Sequence, residues 1–315
     1  MITQTTIRNS FSLRGKGLHT GMDISITFNP APENHGYKIR RTDIRGMPVI
    51  DALAENVSDT RRGTVLSYGN IKVSTVEHAL AALYACQIDN CLIDVNAPEF
   101  PIMDGSAIMF ISKIKEVGTD QQKARREYLS FKRKKIKVLD TATGSSILLL
   151  PDDSLSIETH ISFDSVLLKR QDAVMHDLND FAREFGSART FVFVREIEPL
   201  LKSNLVKGGD LDNAIVIYDK LLTQTEFDQL ADIMKVRRKD AGKLGYIMNK
   251  PLLYSNEPAR HKLLDIIGDL ALVGHFIKGK IIADCPGHKI NNMFARAIRE
   301  AAGFTSMKHA ETLNT

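Results

Sequence analysis

Hydrophobic and polar positions alternate with a period of two through the first third of the chain. In Met22–Asn29, Ile24, Ile26 and Phe28 are separated by polar residues, which predicts a strand with one buried face. Pro30, Pro32 and Gly36 mark a turn before a second strand at Tyr37–Arg40. Val65–Tyr68 and Ile71–Val73 flank Gly69-Asn70 and predict a hairpin. The period then lengthens. Thr75 to Cys86 reads as a helix, its start marked by Ser74-Thr-Val-Glu77 in the pattern of a capping box. Leu92–Val95 is a short apolar strand, Asn96–Ser106 a loop with two prolines, and Ile108–Val117 a second helix.

Lys123 to Lys137 is dense in Lys and Arg and has little periodicity, so it reads as a solvated linker running into a strand at Ile136–Leu139. The strand-then-helix order then repeats. Ile147–Leu150 and Leu155–Ile161 read as strands, Leu178–Gly186 as a helix, Thr190–Val194 and Ala214–Ile217 as strands. Thr223–Asn256 is polar and irregular and reads as an insertion. Pro258–Val273 is a strong helix, with Asn256 as N-cap and Gly274 as its stop. A strand at Ile281–Asp284 and a helix at Asn291–Ala302 complete the pattern. The expectation is an α+β fold of two domains of similar sandwich topology, each a sheet layered against helices, with the active site in the cleft between them. Their expected bounds are 1–125 and 126–305, the second with an insertion near 223–256, followed by a tail at 306–315.

Composition narrows the function. The net charge is +4, from 42 basic and 38 acidic residues, which is too balanced for a nucleic-acid binder but suits an anionic small substrate. Lys123–Lys137 has only Tyr128 and Phe131 as aromatic neighbours, few for stacking on bases. Cys86, Cys91 and Cys285 form no Cys-x-x-Cys pair, which argues against a disulfide framework and for a reducing, cytoplasmic setting. The N-terminus lacks a signal-peptide layout, and no run of roughly 18 uncharged apolar residues exists to span a membrane. Gly15-Lys-Gly17-Leu-His-Thr-Gly21 has the glycines of a dinucleotide loop, but a strand follows it where that loop needs a helix. His19 within it reads equally as a turn histidine or a site residue.

Candidate chemistry starts in the helix at Pro258–Val273. His261, Asp265 and Asp269 are spaced i, i+4, i+8 and fall within about 80° of one another on one face. Two carboxylates among Leu263, Leu264, Ile266, Ile267 and Leu270 are costly to bury without a cation. The spacing fits a metal-ligating face or a helix with one solvated stripe. Glu77-His78, at the start of another helix, reads as a capping pair or as a third ligand beside a carboxylate. A His78, His261, Asp265 set has the three-ligand form of a catalytic zinc site with an open position. Water on such an ion is acidified, and a neighbouring carboxylate takes its proton. His288 is a candidate acid for an amine leaving group, with Asp269 to orient and charge it.

Five ordered motifs decide among these readings. They are Ser74-Thr-Val-Glu-His-Ala79, Asn96-Ala-Pro-Glu-x-Pro-Ile-Met-Asp-Gly-Ser106, Ala188-Arg-Thr-Phe191, Glu257-x-x-Arg-His-Lys-x-Leu-Asp-x-Ile-Gly-Asp269 and Gly287-His288. Together, from about Arg8 to about Ala302, the chain resembles the UDP-3-O-acyl-N-acetylglucosamine deacetylases of lipid A synthesis. The resemblance implies zinc (ferrous iron in some cells) on His78, His261 and Asp265, Glu77 as general base, and His288 as catalytic histidine supported by Asp269. It implies Thr190 as an oxyanion donor, Phe191 and Lys262 as substrate contacts, and a hydrophobic passage in the second domain for the acyl chain. A monomer is expected.

Three features depart from the family pattern. Cys285 stands where many relatives carry Lys or Arg, Val192 where glycine is frequent, and Thr223–Asn256 is longer than in shorter relatives. Some relatives are fused to an acyl-carrier-protein dehydratase. The sequence stops at Thr315, so that second activity is not expected. The absence of His-Glu-x-x-His argues against a peptidase of that kind.

Overall fold

The computed structural model describes residues 2–304, apart from Arg133, Ser203, Asn204 and Lys235; the expected tail at 306–315 lies outside the described residues. The fold is α+β, and two five-stranded paths share one plan. In the first, Phe11–Lys16 and Asp23–Pro30 form an antiparallel hairpin, and Tyr37–Arg41 and Val49–Asp51 form another. Cys91–Val95 slots between the two hairpins, antiparallel to Asp23–Pro30 and parallel to Tyr37–Arg41. In the second, Ile136–Asp140 pairs with Ser145–Leu150, and Leu155–Ser162 with Arg170–Met175. Phe276–Asp284 enters between them with the same antiparallel and parallel neighbours. The late strand is central in each because it is apolar on its inner face: Cys91, Ile93 and Val95 in one, Ile277, Ile281 and Ala283 in the other.

Among the described residues, seven α-helices accompany these sheets: α1 (Glu77–Ala85), α2 (Ile108–Val117), α3 (Phe181–Glu184), α4 (Val194–Lys202), α5 (Gln224–Ile233), α6 (Glu257–Leu270) and α7 (His288–Ala301). Phe110 of α2 packs on Phe28 of the first sheet at 5.9 Å between ring centroids. α6 lies on strands Leu155–Ser162 and Arg170–Met175, and α7 on Ile136–Asp140. α1 and α6 meet face to face in the middle. Gly268 makes that crossing close: a Cβ there would sit 2.2 Å from the Glu77 carbonyl oxygen. Residues 77–84 of α1 are all buried, and one hydrophobic core runs from Phe28 through Leu80, Leu83, Ile266 and Leu270 to Ile281.

Several sequence expectations are corrected. The Ser74–Glu77 capping box does not form: α1 has no side-chain cap, and Glu77 turns to another partner. Asn256 is the residue before α6 but caps nothing; its amide binds the Asp172 carbonyl and accepts from Arg260. The start of the supposed linker belongs to strand Thr119–Arg125, which pairs antiparallel with Thr3–Ile7, and Tyr128–Ser130 pairs with Phe276–Lys278. Arg126 is buried against Asp89 at 2.7 Å. The insertion is ordered, with α5 and strand Gly245–Ile247, and α4 follows Phe191–Phe193 where no helix was expected. No helix among the described residues is long and apolar enough to cross a membrane.

Candidate active site

The crossing of α1 and α6 brings the spaced residues together. Glu77 and His78 open α1; His261, Asp265 and Asp269 lie along α6; His288 opens α7. All but His288 are nearly solvent-free, and His288 is only 13% exposed at its side chain. Donor atoms of His78, His261 and Asp265 lie within 4.8 Å of one another, the one such group of three among the described residues. His261 donates Nδ1–H to the Ala188 carbonyl at 3.0 Å, which leaves its Nε2 lone pair facing Asp265 Oδ1 at 3.4 Å. His78 Nε2 is 4.0 Å from the same oxygen.

Two observations test whether these residues suit a metal. Asp265 Oδ1 and His78 Nδ1 are buried and have no hydrogen-bond partner. Orphaned buried donors are costly, and a cation within the triangle satisfies the carboxylate. The surroundings also favour the neutral form of both rings, the form a ligand needs. Burial, followed by His261 nearby, depresses His78 to about 3, and burial lowers His261 as well. Burial disfavours the Asp265 carboxylate, but the charges of Lys262 and His288 outweigh it and hold its pKa well below the usual carboxylate range. The residues fit a divalent ion.

A second cluster lies beside the first. Asp269 accepts from His288 Nδ1 at 2.9 Å, from Asn291 Nδ2 at 2.9 Å and from the Thr64 hydroxyl. His288 Nε2 points back to Glu77 Oε1 and to Asp265 Oδ2, each at 3.9 Å. Burial disfavours the imidazolium, but Asp269, Asp265 and Glu77 outweigh it and raise His288 to about 9. Glu77 is raised to about 7, mainly by burial, with His288 pulling the other way and Asp265 and Asp269 adding to the rise. Its Oε2 accepts the Thr64 N–H at 3.1 Å. Two titratable groups, both raised, face one another across 3.9 Å.

The remaining sequence candidates lie around the same cavity of about 230 Å³. Thr190 and Phe191 form one wall, and His19 a rim, its Nε2 3.3 Å from the Arg62 carbonyl oxygen. Lys262 bonds Asp265 Oδ2 at 2.8 Å and stands 5.6 Å from the Phe191 ring centre. An apolar cavity opens off the first, sharing Val192, Val206 and Ala214 with it.

The sequence profile of the UDP-3-O-acyl N-acetylglycosamine deacetylase family matches residues 4–232 and 241–300. The chain belongs to this family. It is 58% identical over 300 residues to a protein of Bacteroides thetaiotaomicron named bifunctional enzyme LpxC/FabZ, and equally to its namesake from Porphyromonas gingivalis. Those alignments cover 95% of this chain and 65% of each bifunctional protein, so the chain spans about two thirds of their length. A UDP-3-O-acyl-N-acetylglucosamine deacetylase of Methylococcus capsulatus is 37% identical over 295 residues, covering 93% of this chain and 88% of that protein.

Some residues of the site escaped sequence reasoning. Thr64 ties Glu77 and Asp269 together from an aperiodic loop, where no local pattern marks it. Asn291 binds Asp269 one turn after His288, a spacing readable only once His288 is placed. Arg189 and Glu257 stood inside quoted motifs without a role; they form a buried ion pair at 2.8 Å that supports Thr190.

Proposed function

We propose that the protein is a zinc-dependent deacetylase that hydrolyses the N-acetyl group of UDP-3-O-acyl-N-acetylglucosamine, giving the free amine and acetate, the committed step of lipid A synthesis. The observation that carries this reading is the convergence of His78, His261 and Asp265, with Asp265 Oδ1 unpartnered, beside His288, whose Nε2 is 3.9 Å from both Asp265 and Glu77. Those three residues would hold the ion, and two imidazoles with one carboxylate suit zinc or ferrous iron. Bound there, the ion supplies Lewis-acid polarisation of the amide carbonyl and acidifies water.

The chain's own residues do the rest. Glu77 accepts a proton from the attacking water as its oxygen bonds to the acetyl carbon. Thr190 donates to the oxyanion that forms. His288, held charged by Asp269, gives its Nε2 proton to the sugar nitrogen as the carbon–nitrogen bond breaks. Lys262, Phe191 and His19 contact the substrate at the cavity wall, and the apolar side cavity takes the 3-O-acyl chain. With Cys285 in place of a base, positive charge at the cleft comes from Lys262 and from Arg61 and Arg62, which line it. We divide the chain into domains 1–125 and 126–305, acting as a cytoplasmic monomer. Cys86, Cys91 and Cys285 are free thiols, which suits that compartment.

Chelator-stripped protein titrated with zinc against this substrate tests the reading. Acetate release should return near one equivalent; a folded, zinc-loaded protein that releases none from it would overturn the assignment.

The acid–base pair also sets a pH dependence. Glu77 must be ionised, so kcat/KM rises as pH climbs through its value; His288 must be protonated, so kcat/KM falls as pH passes its own. The positive ion moves both limbs to lower pH. Asp269→Asn removes the largest influence favouring the imidazolium, so the alkaline limb should move down by about one unit or more while the acidic limb moves less. An unchanged alkaline limb in that variant would remove His288 as the acid.

A further inference from the structure

The wall of the apolar side cavity comes from two sources. Near the catalytic cavity it is built by Val192, Val206 and Ala214, which line both spaces. Beyond them it is roofed by one face of α5. Phe227, Leu230, Ala231 and Met234 recur at i, i+3, i+4 and i+7, so a single apolar stripe points into the cavity. After α5 the chain turns, and Val236, Arg237 and Lys239 complete the lining. Met234 and Val236 are half-buried, while Arg237 and Lys239 are exposed, so the cavity passes from apolar wall to cationic rim along this segment.

Residues 233–240 are also the stretch that the family profile leaves unmatched between its two segments. The part of the wall nearest the active site therefore belongs to the shared family pattern, and this part of the lining does not. A chain end that fits against Met234 and Val236 buries its last methylenes. One that reaches further meets Arg237, Lys239 and water, and gains nothing from added length.

We infer that residues 233–240, through Met234 and Val236, set the longest acyl chain that the enzyme uses well. This rests on the deacetylase reading above and adds to it the residues that measure the substrate. Specificity for chain length would then be a property of this protein's own loop and not of its catalytic residues. Discrimination follows from burial: each methylene that finds a place raises kcat/KM roughly fourfold, and each one beyond the wall adds nothing.

The test pairs turnover with a binding signal that needs no turnover. The chain has no tryptophan, so Met234→Trp both fills the cavity and supplies a lone fluorophore in its wall. In zinc-loaded protein, the ratio of kcat/KM for a hexadecanoyl over a butanoyl substrate should fall about tenfold or more in Met234→Trp. It should hold or rise in Met234→Ala, a variant that relieves any overpacking. Separately, hexadecanoic acids brominated at successive carbons should quench the tryptophan most when the bromine is toward the methyl end. A ratio unchanged in both variants, or quenching independent of bromine position, overturns the inference. Position-dependent quenching without acetate release from either substrate would uphold the cavity's role in measuring the chain and overturn the deacetylase reading instead.

Discussion

Glu77→Gln is expected to lower kcat about a thousandfold while the protein still binds one zinc ion, within the range that a positioned general base supplies. The amide keeps the volume of the carboxylate, and its oxygen can still accept the Thr64 N–H that holds the side chain. What it loses is the capacity to take a proton. Glu77 is not in the ligand group, so the metal content should not change. The acidic limb of the pH profile should disappear with it. Measuring zinc by mass spectrometry alongside acetate release separates the two roles. Activity within tenfold of the parent would transfer the base to His288, whose Nε2 lies 3.9 Å from Glu77.

Glu257→Ala should be the most destabilising single change, at about 3–5 kcal/mol. Glu257 has no exposed surface and opens α6. Its carboxylate accepts from the Arg189 backbone N–H at 3.1 Å, from Arg189 Nε at 2.8 Å and from the Leu253 N–H at 2.7 Å. Removing it leaves a buried guanidinium facing an empty space and two amides without acceptors. Urea denaturation of the metal-free protein measures the loss. Because Thr190 follows Arg189 directly, the variant should also turn over more slowly than its folded fraction explains. A cost under about 1 kcal/mol would mean that water or a neighbour replaces the carboxylate.

What the sequence made legible follows physical range. His261, Asp265 and Asp269 share one helix, so their spacing alone placed them on one face. Glu77 and His78 are neighbours in the chain, and only their meeting with α6 needed the fold. Thr64 was hidden because its partners lie 13 and 205 residues away. The capping box was misread for the same reason: the local pattern was present, but a backbone N–H from the loop won the carboxylate. α5 was legible in principle, since Thr223 and Glu226 form a complete capping box, but its polar surround masked the apolar stripe. α4 carries Pro199 inside it, a residue that argues against a helix interior. Strand Thr119–Arg125 has no apolar alternation at all, and what specifies it is distant: strand Thr3–Ile7, Ala31, Glu33 and Asn90.

The close approach at Gly268 has a mechanical consequence. His78 from α1 and His261 and Asp265 from α6 converge on one point, and the two helices approach closely at Gly268. A clam-shell rotation of one half against the other would slide α1 along α6 and pull His78 away from His261. The close crossing at Gly268 therefore opposes a hinge at this point. Traffic through the cleft is left to its rim, where Arg62 and Glu196 face one another across 3.8 Å with both side chains partly in solvent. Such a pair can part and re-form without moving His78, His261 or Asp265.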